Sequence, residues 1–264
     1  MKLPLQKPKS GKVFLVGAGP GDVELLTLKA ARLLAVADVV LIDDLAGDEV
    51  LSLCPQARII RVGKRGGCKS TPQAFIEKLL IREARAGHTV VRLKGGDVSM
   101  FGRASEEIAA LEAAGIKFEV VPGITAGLAA AAQLKSSLTH RDHAHGVAFI
   151  TAHGAQGAEI AWQALAQSTL TLVVYMGVSR AASLRASLLA GGLSGDTPVI
   201  AVENASRADA RSVCSTVALM VEDFALQSLK SPAVLVIGEA MRARAVELAR
   251  QSPVFDASAV RVVA

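Results

Sequence analysis

Along this chain, short runs of consecutive apolar residues alternate with segments whose apolar positions recur every three or four residues. Residues 13–16 form the first run. Leu25, Leu26, Leu28, Ala31, Leu33 and Leu34 then mark a helical face. Residues 38–44 read as a buried strand that ends in acids. The alternation continues with a strand over 58–62 and a helix over 71–86. Pro72 stands at the predicted start of that helix, where its missing N–H costs nothing. A strand over 89–93, a helix over 105–114 stopped by Gly115, and a strand over 118–121 follow. A second series then begins. It has a helix over 126–134, strands over 146–151 and 169–176, a helix over 181–189, and strands over 198–203 and 233–237. Strands joined by helices predict an α/β chain: two α/β domains with mostly parallel sheets, helices covering their faces. The boundary falls near residue 123. The reading is an N-terminal domain over 13–123 and a C-terminal domain over 124–252, flanked by a flexible tail at 1–12 and a second tail at 253–264.

Composition sharpens this picture. The chain has 264 residues, 51% of them hydrophobic, which suffices for a substantial core. Only 3% are aromatic, so Ala, Val, Leu and Ile must fill it. No uninterrupted apolar stretch reaches roughly 18 residues, so no membrane helix is expected. The segment MKLPLQKPKSGK is basic and lacks an apolar centre, so it reads as a tail and not as a signal peptide. The cysteines, Cys54, Cys68 and Cys214, are scattered and form no CxxC, which fits a reducing cytoplasm. Cys68, within GKRGGCKS, reads as a small loop residue. Net charge is +5 and the pI is near 9.3. A single Trp and a single Tyr provide no stacking platform for nucleic acid, so a small polyanionic substrate accounts for the charge better.

The candidate chemistry lies where strands end. Gly17, Gly19 and Gly21, with an acid about twenty residues on, invite a dinucleotide-binding reading. The place of that motif's third glycine is taken by Asp22, and Pro20 stiffens the turn, which disfavours it. Read together, five such loops say more. They are 17–22, 63–67, 94–102, 122–126 and 175–178. Ligands of open α/β sheets bind beyond the carboxyl ends of the strands, where glycine lets the backbone approach them. A bound small molecule is therefore expected. His140, His143 and His145 lie close in sequence, but neither HExxH nor paired cysteines accompany them. They read as carboxylate-binding or loop-lining residues, and no metal is expected.

These segments resemble a known family. VGAGPGD (16–22), LLTLKA (25–30), ADVVLIDDL (37–45), VGKR (62–65), VVRLKGGD (90–97), MFGR (100–103), VVPGITA (120–126), LTHRD (138–142), VYMG (174–177) and VEN (202–204) are similar, in order and spacing, to the tetrapyrrole methyltransferases. Within them, VGKR and LTHRD resemble the uroporphyrinogen-III C-methyltransferase branch. The likeness runs from about Lys12 to Gly238. The departures are Val98 for a usual Pro, Ala104-Ser105 for a frequent pair of glycines, Ile42 for a frequent Tyr, and Ala205 for a common Gly.

The resemblance implies S-adenosylmethionine as methyl donor, held in a cleft between two α/β domains, and usually a homodimer. It implies C-methylation of uroporphyrinogen III at C2 and C7, through precorrin-1 to precorrin-2, for sirohaem or cobalamin. Carried over residue by residue, donor contacts fall on Pro20, Gly95, Gly96, Asp97, Met100, Thr125, Ala126, Met176 and Ala205. Acid–base roles fall on Asp43 and Lys64. The substrate carries eight carboxylates, for which Arg65, Lys94, Arg103 and Arg141 are the candidate cations. The competing readings are a turn-capping role for Asp97, a capping or turn acid at Asp43, and solvated surface charges for the cations.

Overall fold

The computed structural model describes residues 11–63, 71–153 and 160–251. The chain divides into two compact units after Ala126, three residues beyond Gly123. The first carries an all-parallel sheet built from β1 (Lys12–Gly17), β2 (Val39–Ile42), β3 (Arg58–Arg61), β4 (Thr89–Lys94) and β5 (Phe118–Val121). Their order across the sheet is β3-β2-β4-β1-β5. The helices are α1 (Leu28–Leu34), α2 (Gln73–Arg85) and α3 (Ala104–Ala113).

The period of two along each strand sorts side chains onto opposite faces. Phe14, Val16, Val40 and Ile42 pack with Ala30, Leu33 and Leu34 of α1. Val13, Leu15, Val39 and Leu41 pack with α2 and α3 through Ile76, Leu80 and Leu111. With both faces covered, β2 and β4 are buried at every position, the signature of a central parallel strand. Val98, where the resembled family usually has Pro, is buried in the α2–α3 core. That burial gives the departure an apolar packing role.

Two helix starts differ from the sequence reading. The apolar pattern around Leu25 splits into a short 3-10 turn, Val23–Leu25, and α1. Thr27 causes the break: its side chain accepts the Ala30 N–H at 3.1 Å and caps α1 in an extended conformation. Pro72 likewise precedes α2, with ψ 136, and does not open it.

The second unit follows α4 (Ala126–Gln133), whose first residue closes the first unit. Its sheet contains β6 (Gly146–Thr151), β7 (Leu170–Tyr175), β8 (Pro198–Glu203), β9 (Arg211–Thr216) and β10 (Ala233–Ile237), in the order β6-β7-β10-β8-β9. Only β6 and β7 pair in parallel; the other three pairings are antiparallel, so this sheet is mixed. The connection from β8 to β9 is a seven-residue loop, 204–210, too short for a crossover helix, which forces a hairpin. Helices α5 (Trp162–Ala166), α6 (Ala181–Ala190), α7 (Met220–Leu226) and α8 (Arg242–Gln251) complete the unit. Leu184, Leu188, Met220 and Phe224 fill its core against Val199 and Leu235. Among the described residues no helix is long and apolar enough to cross a membrane.

Candidate active site

In the first unit, three loops meet at the carboxyl edge of the sheet because β1 lies between β4 and β5. Gly19 and Gly96 exchange backbone hydrogen bonds: the Gly96 N–H donates to Gly19 O at 2.7 Å, and the Gly19 N–H donates to Gly96 O at 3.1 Å. Both adopt positive φ, +73° and +71°, which glycine takes without steric cost. A Cβ on Gly17 would lie 2.6 Å from the Gly123 nitrogen and 2.7 Å from Gly96 O. A Cβ on Gly123 would strike the same carbonyl. These glycines therefore let three stretches of backbone pack against one another, in addition to anything they offer a ligand.

Asp97 locks this junction. Its Oδ2 accepts the Gly123 N–H at 2.9 Å, and its Oδ1 accepts the Ser99 N–H at 2.8 Å together with the Ser99 hydroxyl. Burial pushes its pKa upward, but the Ser99 and Gly123 hydrogen bonds outweigh this and hold the carboxyl below its ordinary value. The turn-capping role weighed for this residue is thus present. It also ties the loop after β4 to the loop carrying Thr125, which is buried, and Ala126, which is half-buried. Pro20, Gly95 and Met100 are half-buried on neighbouring loops.

Asp43 follows β2 directly. Its Oδ1 accepts the Leu45 N–H at 3.2 Å and the Gly95 N–H at 3.3 Å, and its Oδ2 lies 3.6 Å from a terminal nitrogen of Arg92. The carboxylate is partly open to solvent, with 24% of the side chain exposed. Lys64 and Arg65 lie outside the described residues, as does Cys68.

The candidate cations are placed very differently. Lys94 is buried on the α3 face of β4, and its Nζ donates to Glu107 Oε2 at 2.9 Å. Its charge is engaged inside the unit and not presented at the edge. Desolvation lowers its pKa, with Arg92 adding to the effect and Glu107 and Asp43 opposing it. Arg103 is exposed and grips Glu106 through two hydrogen bonds, 2.7 and 2.6 Å. Arg141 is exposed in the turn that holds the histidines. There, the rings of His140 and His143 stack with centroids 4.6 Å apart.

The sequence reading missed Arg92 and Glu107. Arg92 donates from Nε to Glu107 Oε1 at 3.0 Å, and Glu107 is wholly buried. The signal was an arginine inside an otherwise apolar central strand, which needs a buried acid opposite it. Removing one member of such a pair costs about 3–5 kcal/mol. Glu107→Ala should therefore lower the urea midpoint sharply, and an unchanged midpoint would mean that the cluster is hydrated.

In the second unit, Met176 follows β7 with φ 56° and 45% of its surface exposed. Ala205 is buried between Asn204 and Ser206, both at positive φ. Of seven described non-glycine residues at positive φ, Phe101 and Met176 lie in the strand-end loops singled out by sequence, and Arg103 and Asn204 in the MFGR and VEN segments. Such backbone strain concentrates at functional sites, which fits a role for the loops that carry Phe101 and Met176.

The family description Tetrapyrrole (Corrin/Porphyrin) Methylases matches residues 12–220. The chain is 55% identical over 233 residues to uroporphyrinogen-III C-methyltransferase of Pseudomonas aeruginosa, covering 88% of this chain and 95% of that one. It is 48% identical to siroheme synthase 3 of Aeromonas hydrophila, covering 88% of this chain and half of that longer protein. Among solved structures, the uroporphyrin-III C-methyltransferase of Thermus thermophilus complexed with S-adenosylhomocysteine matches with TM-score 0.77 and 42% identity. That match covers 88% of this chain and 94% of the other.

Proposed function

The chain belongs to the tetrapyrrole (corrin/porphyrin) methylases, and from that membership we propose that it methylates uroporphyrinogen III at C2 and C7. The product is precorrin-2, formed through precorrin-1, for sirohaem or cobalamin. The observation that carries this reading is the 55% identity sustained along 95% of the P. aeruginosa uroporphyrinogen-III C-methyltransferase.

S-adenosylmethionine, the donor in this reading, supplies an electrophilic methyl carbon on a sulfonium. What the described loops present suits such a ligand: glycine backbones at strand ends, and the exposed apolar side chains of Met176 and Phe101 for flat or apolar groups. Pro20, Gly95, Gly96, Asp97, Met100, Thr125 and Ala126 of the first unit, with Met176 and Ala205 of the second, would hold it. The pyrrole carbon of the substrate is electron-rich and needs no enzyme nucleophile. Its new C–C bond forms as the C–S bond breaks, and a proton is lost afterwards. The work left to the protein is alignment, exclusion of water and acceptance of that proton. Asp43 is assigned the proton, with Lys64 as proton donor. Arg65, Arg103 and Arg141 are assigned to substrate carboxylates. Lys94 remains a candidate only if its bond to Glu107 opens. The reading extends to a homodimer acting in the cytoplasm without metal.

Incubation with uroporphyrinogen III and S-adenosylmethionine should give a product that carries two added methyl groups and is heavier by two CH2 units, one proton being lost per methylation. Calorimetry should show binding of the donor and of S-adenosylhomocysteine and none of NAD. Binding of NAD with no methylated product would overturn the proposal, and light scattering of the same sample checks the dimer.

A further inference from the structure

Four charged side chains form one buried chain in the first unit. Asp43 stands at the end of β2, Arg92 and Lys94 on one face of β4, and Glu107 on α3. Their charges cancel, two acids against two bases. Three of the four are sealed: the Arg92, Lys94 and Glu107 side chains are 5%, 3% and 0% exposed. Asp43, at 24%, is the member that reaches solvent.

Arg92 is held on several sides. Its Nε is fixed by Glu107 at 3.0 Å, and one terminal nitrogen donates to Leu93 O at 2.9 Å. The planar guanidinium then has its orientation set, and the other terminal nitrogen lies 3.6 Å from Asp43 Oδ2, an ion-pair contact. The opposite oxygen of Asp43 is fixed by the Gly95 and Leu45 amides. We infer that Arg92, anchored by Glu107, is a positioning residue that sets the orientation of the Asp43 carboxylate for proton acceptance. This rests on the assignment of Asp43 as proton acceptor. Lys94 completes the arrangement by donating to the second oxygen of Glu107, so that Arg92 need supply only one hydrogen bond to that acid.

A positioning residue differs from a merely structural one in how its loss combines with loss of the group it serves. Single-turnover rates and donor affinity are to be measured for Asp43→Asn, Arg92→Met and the double variant. Asp43→Asn is expected to lose roughly 10²-fold and Arg92→Met about tenfold, with donor affinity held within about twofold. If Arg92 acts through Asp43, the double variant is no slower than Asp43→Asn. Independent losses would multiply to about 10³-fold, and that result would overturn the inference. Should Arg92→Met fail to fold, Arg92→Lys retains the charge but not the fork, and it carries the same expectation of non-additivity. A fully active Asp43→Asn instead sinks the assignment of Asp43, a different failure seen in a different variant.

Discussion

Asp43→Asn is expected to slow a single turnover by roughly 10²-fold or more while leaving donor affinity near that of the parent protein. The substitution keeps size and one hydrogen-bond acceptor, so the Gly95 and Leu45 amides retain a partner. What is lost is the basic carboxylate and its ion pair with Arg92. Because the loss falls on chemistry, kcat drops and donor binding does not. Full activity in the variant would point to water or a substrate carboxylate as the proton acceptor.

The second large effect is expected at Asp97. Asp97→Ala removes the acceptor for the Gly123 N–H and for both Ser99 donors. Charge-assisted hydrogen bonds of this kind contribute about 1.5–3 kcal/mol, so donor affinity should fall by roughly ten- to hundredfold. Two routes lead there: loss of a direct contact with the donor, and release of the loop bearing Thr125 and Ala126. Hydrogen exchange along α4, whose N–H groups Asp97 does not bind, separates them, because only loop release speeds it. A folded variant that binds the donor as tightly as the parent would assign Asp97 to the loop junction alone.

Much of the first unit was legible because its central strands are buried on both faces and read as unbroken apolar runs. The expected bounds of β5 in this unit, and of β6, β8 and β10 in the second, coincide with the observed ones. The second unit was harder. β9 is RSVCST, an edge strand with one large apolar side chain, and its pairing is decided by the short loop after β8. α8 is rich in arginine and presents small residues inward, Ala245 and Ala249, so its apolar face is faint. α5 and α7 have five and seven residues, too short for a helical period to stand out.

In the candidate site, the strand-end acids and glycines were legible from their types and spacing. Their partners were not. Lys94 and Arg103 look equivalent as letters, yet one is sealed against Glu107 and the other lies exposed beside Glu106. A basic residue at a strand end has no visible face until the neighbouring helix is placed. That placement comes from the crossover of α3, which no local pattern encodes.

The interlocked backbones of Gly17, Gly96 and Gly123 limit how this molecule can diverge. Three segments separated by many residues of chain behave there as a single mechanical part, since moving one drives it into the other two. Insertions or deletions within any of them would dislodge all three, so new substrate preferences have to be sought elsewhere. Exchanges of side chains outside that junction, at Phe101 for example, alter the surface offered to a ligand without touching the joint. A lineage built on this fold can therefore change its substrates by swapping letters at the rim while the length of these turns stays frozen.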